Sequence, residues 1–187
     1  AYCANGTGIR LDEKSDGATI QNNAFVDSNK IGLLADGADN LTIKDSEFTK
    51  NGTGIKLVNS QDNTLTNNLI HKNLTGVHLK DSDNNKFEKN TIKNNSVTGI
   101  KIEGGSNTNL HENIFENNTQ YGVHAENTNG FTSTKDTVTG SSHGFAIDDS
   151  TGSISVTNSA FNANTSGLTL KNTNDVSVLN STFFNNT

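Results

Sequence analysis

Residues 54–70 read Gly-Ile-Lys-Leu-Val-Asn-Ser-Gln-Asp-Asn-Thr-Leu-Thr-Asn-Asn-Leu-Ile, and this stretch is one copy of a pattern that recurs along the chain. Each copy opens with a glycine, an apolar residue, a variable residue and a second apolar residue. The eight copies begin at Gly8, Gly32, Gly54, Gly76, Gly99, Gly122, Gly144 and Gly167. Successive glycines are 22 to 24 residues apart. A fixed period of this length indicates a repeat architecture in which each repeat is one structural unit.

Two further apolar columns follow the opening motif in each repeat. The first column contains Ile20, Ile43, Leu65, Phe87, Leu110, Val156 and Val178, with Ser133 as its one exception. The second contains Phe25, Phe48, Ile70, Ile92, Phe115, Val138, Phe161 and Phe183. The alternation within each motif has a period of two, which predicts short strands rather than helices. Such short strands bury an apolar face only when the repeats stack, so we predict an all-β fold: a parallel β-helix, or β-solenoid, of about eight turns of 22 to 24 residues.

Asparagine also recurs at fixed places in the repeat. One column contains Asn68, Asn90 and Asn113 with Asp136, and another contains Asn51, Asn73, Asn95, Asn118 and Asn164 with Ser141. An amide is both a donor and an acceptor, so stacked asparagines can bond to one another along the axis of the coil. We therefore interpret these columns as structural asparagine ladders.

The composition limits the classes of partner. The chain has 187 residues and a net charge of −6, which disfavours binding to nucleic acid or to an anionic membrane. No apolar run approaches the length needed for membrane insertion. We expect residues 1–187 to form a single β-helix repeat domain. Since no cap is evident at either end, we also expect a segment of a longer protein, or subunits that self-associate end to end.

The repeat at residues 54–70 resembles those of the right-handed parallel β-helix repeat proteins, the pectate-lyase-like superfamily. That superfamily includes polysaccharide lyases, glycoside hydrolases, mannuronan epimerases, phage tailspikes and surface adhesins. The resemblance runs from Gly8 to Phe183 and implies a right-handed coil, but it says little about activity, because the shared residues are those that pack the coil.

The chain departs from several enzymes of the superfamily. It contains no proline, so it lacks the Asp-Pro-His-Asp type of motif that the epimerases carry. Pectate lyases use an arginine beside calcium-binding acids, and Arg10 is the only arginine of this chain. These differences argue against the epimerase and pectate lyase activities that the resemblance implies, and leave open a catalytic site built from other residues.

The most promising site is the outward face of the strands that begin at the repeated glycines. One outward column contains Lys56, His78, Lys101 and His124, and the neighbouring column contains Lys80, Glu103, Glu126 and Asp148. We take Lys101, Glu103, His124, Glu126 and Asp148 as catalytic candidates, and Lys56, His78, Lys80, Lys101 and His124 as glycan-contact candidates. Carboxylates on adjacent turns should lie about 5 Å apart and raise one another's pKa, which would make a general acid. The alternative is a solvated face of weak ion pairs.

No strong metal or cofactor motif is present. His71, His111 and His143 are interpreted as turn or surface residues, and no metal site is predicted. We expect no cofactor; calcium stays open only because Asp81-Ser82-Asp83 and Asp148-Asp149 supply neighbouring oxygen ligands.

Two functions remain open. The first is a non-catalytic extracellular or cell-surface β-solenoid with a structural or adhesive role, in a filament or surface layer, that contacts polysaccharide or other glycans. The near-constant repeat length supports it, since active β-helix enzymes usually carry long loops that wall a groove. The alternative is a polysaccharide-active enzyme domain, a lyase, glycoside hydrolase or epimerase, with its site on the face defined above.

Overall fold

A computed structural model describes residues 6–26 and 29–187, and in these ranges the chain contains strands and turns but no helix. The strands in chain order are β1 Gly6–Asp12, β2 Thr19–Gln21, β3 Ala24–Val26, β4 Asn29–Asp36, β5 Thr42–Lys44, β6 Glu47–Thr49, β7 Thr53–Val58, β8 Thr64–Thr66, β9 Leu69–His71, β10 Thr75–Lys80, β11 Lys86–Glu88, β12 Thr91–Lys93, β13 Thr98–Glu103, β14 Ser106–His111, β15 Ile114–Glu116, β16 Tyr121–Glu126, β17 Asn129–Thr134, β18 Thr137–Thr139, β19 His143–Asp148, β20 Thr151–Thr157, β21 Ala160–Asn162, β22 Ser166–Lys171, β23 Val176–Leu179 and β24 Thr182–Phe184.

Every third strand joins the same sheet, which produces three parallel sheets of eight strands each. The first sheet has the order β1-β4-β7-β10-β13-β16-β19-β22 and contains the opening motifs. The second sheet runs from β2 to β23, and the third sheet runs from β3 to β24. Each strand pairs in parallel with its copy one repeat later, as in β10 with β13. The chain is therefore a β-solenoid of eight coils, as the repeat period predicts.

The predicted apolar columns form the core. Phe48, Phe115 and Phe161 are fully buried, and the register places each opposite its copy in the next coil. Phe145 packs edge-on between Phe115 and Phe161, with ring centroids 5.7 Å and 5.0 Å away. The side chain of Phe25 lies outside the described residues. Burial of a side chain of this size contributes about 1.5–3 kcal/mol.

The asparagine ladders are confirmed. Asn68 Nδ2 donates to Asn90 Oδ1 at 3.0 Å, and Asn90 Nδ2 donates to Asn113 Oδ1 at 3.0 Å. On the turn that leads into the first sheet, Asn73 Nδ2 donates to Asn95 Oδ1 at 3.2 Å in the same way. Each ladder side chain also bonds backbone, as when Asn90 Nδ2 donates to the Leu65 carbonyl at 2.8 Å. The ladders thus satisfy turn backbone groups that the sheets leave unpaired.

The glycine that opens each repeat is required by the close approach of neighbouring coils. A Cβ atom on Gly54 would lie 2.6 Å from the Gly76 carbonyl oxygen and 3.2 Å from Ile70. Its φ is not in the left-handed region, so the reason is space and not backbone freedom. The glycine column therefore marks where one coil rests directly on the next.

Candidate functional site

The first sheet brings the candidate residues together in the predicted register. His78 pairs with Lys101, and Lys101 pairs with His124 on the next coil. In the neighbouring column Glu103 pairs with Glu126, which pairs with Asp148. We call His78, Lys101, Glu103, His124, Glu126 and Asp148 the charged strip. Adjacent backbones in it are separated by the spacing of paired strands, about 4.8 Å.

Glu103 is contacted by two side chains of the strip. Its Oε2 lies 2.6 Å from His78 Nε2, and its Oε1 accepts a hydrogen bond from Lys101 Nζ. Lys101 Nζ also lies 3.5 Å from Glu126 Oε1, so one ammonium group bridges two carboxylates. A carboxylate can only accept, so His78 Nε2 carries the proton in this pair.

The environment of Glu103 contradicts the expected general acid. The hydrogen bond from Lys101, aided by the one from His78, lowers the pKa of Glu103 from 4.5 to about 2. The expectation that the stacked acids raise one another's pKa is therefore wrong for Glu103, because Lys101 reaches between the carboxylates. Glu103 is ionised at neutral pH and cannot serve there as a proton donor.

His78, unlike Glu103, is favoured in its uncharged form. Its side chain is largely covered, and this desolvation lowers the pKa of His78 despite the bond to Glu103. The nearby charges of Lys56 and Lys101 act in the same direction. His78 is therefore a neutral imidazole at neutral pH, with its Nδ1 as an acceptor.

An aromatic stack continues the strip toward the last coils. Tyr121 stacks on His124 with ring centroids 4.5 Å apart and on His143 with centroids 5.2 Å apart. His124 Nε2 lies 3.1 Å from Asp148 Oδ2, and His143 Nδ1 lies 3.1 Å from Thr169 Oγ1. We call Tyr121, His124 and His143 the aromatic stack. His143, interpreted from the sequence as a turn or surface residue, does not lie in a turn, since it begins β19 and pairs in register with Tyr121, and its side chain is half-buried at the surface.

Sequence reasoning did not select Tyr121. It occupies the position just before the repeated glycine, where other copies have Thr53, Thr75 or Thr98. The presence of a large ring at this threonine position, with a histidine in the next copy, is the signal that could have identified it.

Lys56 and Lys80 flank the strip on the other side. The register places Lys56 beside His78 and Lys80 beside Glu103. Within the described residues neither lysine forms an ion pair, whereas Lys101 forms two. The ammonium groups of Lys56 and Lys80 therefore lie on this face without a protein counter-ion among the described residues.

The remaining histidines lie on other sheets. His71 is on β9 in the third sheet, where its Nε2 lies 2.8 Å from Glu47 Oε1. His111 is on β14 in the second sheet, near Glu112. The described residues contain no group of three or more His, Cys, Asp or Glu side chains arranged to hold a metal ion. They also contain no helix that is long and apolar enough to cross a membrane.

The chain belongs to the right-handed β-helix family. The sequence profile described as "Right handed beta helix region" matches residues 2–138, which is most of the chain. The resemblance noted from the repeats is thereby confirmed. No curated protein matches the sequence.

Several solved structures have a similar fold. The periplasmic alginate epimerase AlgG superposes with a TM-score of 0.85 at 20% identity, over 95% of this chain and 47% of that one. The enzymatically active domain of bacteriophage CBA120 tailspike protein 2 gives a TM-score of 0.80 at 9% identity, over 95% of this chain and 32% of that one. PfbA, a surface adhesin of Streptococcus pneumoniae, superposes with a TM-score of 0.57 at 13% identity, over 97% of this chain and 58% of that one.

These similarities concern the fold alone. The chain spans less than two thirds of the length of each of the three proteins. Two of these proteins are enzymes and the third is an adhesin, so the fold alone does not determine the function of this chain.

Proposed function

We propose that this chain is a non-catalytic, glycan-binding β-solenoid segment of an extracellular or cell-surface protein. In this role the outward face of the first sheet binds an acidic polysaccharide, whose chain lies along the axis of the coil. The similar proteins include a periplasmic enzyme that acts on alginate, a phage tailspike and a surface adhesin, which supports this compartment and this class of ligand.

The observation that carries the proposal is the pairing of the acids. Glu103 is bound by His78 and Lys101, Glu126 by Lys101, and Asp148 by His124. Acids held as paired carboxylates suit a preformed binding surface better than a proton-transfer site, which needs a group whose pKa lies near the working pH. Glu103 is far from that condition, since its pKa is about 2.

Two groups remain available to a ligand on this face. Lys56 and Lys80 can pair with the carboxylates of a uronic acid chain. The aromatic stack offers a flat surface on which a sugar ring can pack. Adjacent coils lie roughly 5 Å apart, so successive sugar units of an extended polysaccharide can meet successive coils.

The test is binding of oligomannuronate and oligogalacturonate by isothermal titration calorimetry. The Lys56→Ala/Lys80→Ala variant should bind at least about tenfold more weakly than the wild type, and added salt should weaken the wild type strongly. The matched control is Lys72→Ala/Lys93→Ala, which removes the same charge from another face. Equal weakening by both pairs, or no binding by the wild type, would contradict the proposal.

An enzymatic role is the second candidate, and the His124–Asp148 pair favours it. A histidine oriented by a carboxylate is an arrangement used for a general base. In that case the wild type should produce shorter or epimerised chains from a polyuronide. Glu126→Gln and His124→Gln should then abolish turnover while the thermal unfolding midpoint changes little. Absence of turnover on alginate and polygalacturonate would remove this candidate. End-to-end self-association and calcium binding stay predictions.

A further inference from the structure

A groove of about 630 Å³ lies on the turn between the third and first sheets, away from the charged strip. It extends across the last coils, beside Asn117, Gly140, Ala163 and Asn185. These four residues occupy the same place in successive repeats. The two middle positions, Gly140 and Ala163, have almost no side chain, and the side chain of Asn117 leans over Gly140.

Other coils fill this position with longer side chains. The column reads Lys50, Lys72, Asn94, Asn117, Gly140, Ala163 and Asn185. Its members have a positive φ, which is 53° at Asn94 and 53° at Ala163. Asparagine tolerates this left-handed conformation, whereas alanine is strained in it. Ala163 therefore keeps the position small although asparagine would suit the backbone better.

The floor of the groove contains a gap in the asparagine ladder. Ser141 stands where the neighbouring coils have Asn118 and Asn164. It is only 4% exposed, and its Oγ makes no hydrogen bond within the described part of the chain. A buried hydroxyl without a partner is uncommon in a folded protein. Its presence under the groove is an observation independent of the missing side chains above it.

The polar groups that line the groove are uncharged. They belong to Asn117, Thr119, Ser142, Thr165, Asn185 and Thr187. Amides and hydroxyls each donate and accept, which matches the hydroxyl groups of a sugar, and no lysine or acid lines the groove to select a charged ligand. The charged strip, in contrast, contains the ammonium group of Lys101 and the carboxylates of Glu103, Glu126 and Asp148.

We propose that this groove is a second binding site, for a neutral oligosaccharide. Its residues are separate from the charged strip, so this inference does not depend on the proposed function. The ligand lies across Gly140 and Ala163, and its hydroxyl groups bond the side chains of Thr119, Ser142 and Thr165.

The test uses ¹H–¹⁵N correlation spectra of the whole chain titrated with maltohexaose, cellohexaose and hexagalacturonate. At least one neutral hexasaccharide should shift the amide signals of Thr119, Ser142 and Thr165. Ala163→Asn restores the residue type found at Asn94, fills the groove and should weaken this binding at least about tenfold. Lys72→Asn makes the matched change at the same backbone position outside the groove and should leave the binding unchanged.

Four outcomes would overturn the inference. The first is that neither neutral hexasaccharide shifts these amide signals. The second is that the shifts persist in Ala163→Asn, and the third is that hexagalacturonate binds the groove as tightly as the neutral sugars. An equal response to an uncharged glycine–serine hexapeptide would also overturn it, since the groove would then recognise peptide amides. Thermal unfolding of Ala163→Asn shows that the variant is folded, and its midpoint should be at least that of the wild type.

Discussion

Ser133 Oγ donates a hydrogen bond of 2.6 Å to Asp136 Oδ2 inside the coil, and both residues are buried. Each one departs from its column, because Ser133 replaces an apolar residue and Asp136 replaces a ladder asparagine. The Asp136 Oδ1 still accepts from Asn113 Nδ2 at 3.0 Å, as an amide oxygen would. Its Oδ2 stands where an amide nitrogen would donate, so it needs a donor, and Ser133 supplies one. The two departures compensate one another.

A double-mutant cycle measures this compensation. Ser133→Ala should lower the free energy of unfolding by about 1–3 kcal/mol, because Asp136 Oδ2 loses its buried donor. In the Asp136→Asn background the same change should cost much less, since the amide donates instead. Urea unfolding of the four proteins gives the coupling energy. A coupling near zero would show that Ser133 and Asp136 act independently.

The stability contributed by Asp136 should fall as the pH rises. Burial raises the pKa of Asp136, against the opposing hydrogen bonds from Ser133 and Asn113 and the charge of His111. The unfolded carboxyl ionises near pH 3.9. Between that pH and the higher folded pKa, rising pH favours the unfolded chain. Asp136→Asn should therefore gain stability relative to the wild type as the pH increases above about 4, as measured by urea midpoints. Parallel pH profiles would contradict this assignment.

Glu103 should show the reverse dependence. Its folded pKa is lowered from 4.5 to about 2 by Lys101 and His78, so its contribution is present above pH 4.5 and is lost as the pH falls toward 2. Glu103→Gln should cost about 1 kcal/mol at neutral pH, since the pairs are partly solvated. This difference from the wild type should disappear in acid. Glu13→Gln, an exposed acid without an ion pair in the described residues, is the control.

A ladder asparagine should contribute more to the free energy of unfolding than an exposed asparagine. Asn90→Ala removes the acceptor for Asn68 and the donor to the Leu65 carbonyl. We expect a loss of about 3 kcal/mol or more in the free energy of unfolding, because several buried groups lose their partners together. Asn162→Ala, on an exposed strand position, should change it by less than about 0.5 kcal/mol. Similar losses at the two sites would argue against a structural ladder.

Gly54 should not tolerate a methyl group. Gly54→Ala places a carbon 2.6 Å from the Gly76 carbonyl oxygen, so the coils must separate. A loss of about 3 kcal/mol is expected, comparable to the upper range for overpacking. At Gly17 an added Cβ meets nothing within 4 Å, and only its φ of 70° is unfavourable. Gly17→Ala should thus cost about 1 kcal/mol, and thermal unfolding of both variants compares the two effects.

The period of the repeat was sufficient to predict which residues share a column. Phe48, Phe115 and Phe161 and the charged columns of the first sheet all lie in the predicted register. This is because a coil of nearly constant length places equivalent residues one above another. The asparagine ladders follow from the same rule.

The rotamers of the outward side chains could not be predicted from the period. Glu103 and Glu126 are stacked as expected, but Lys101 reaches between them and reverses the expected effect on the pKa of Glu103. Tyr121 occupies a position that is threonine in several other repeats, so periodicity concealed its role. The position of Lys101 and the stacking of Tyr121 depend on side-chain rotamers and on contacts between residues of different columns, which the repeat period does not specify.

The parallel pairing has a mechanical consequence, because the strand hydrogen bonds between coils run along the axis. Tension applied along that axis would load the coil–coil junctions in series, and the weakest junction alone would set the force at which the rod yields. The junction beside Ser141 lacks the amide-to-amide bond that joins Asn73 to Asn95 and Asn95 to Asn118, so it is one of the places where rupture can begin.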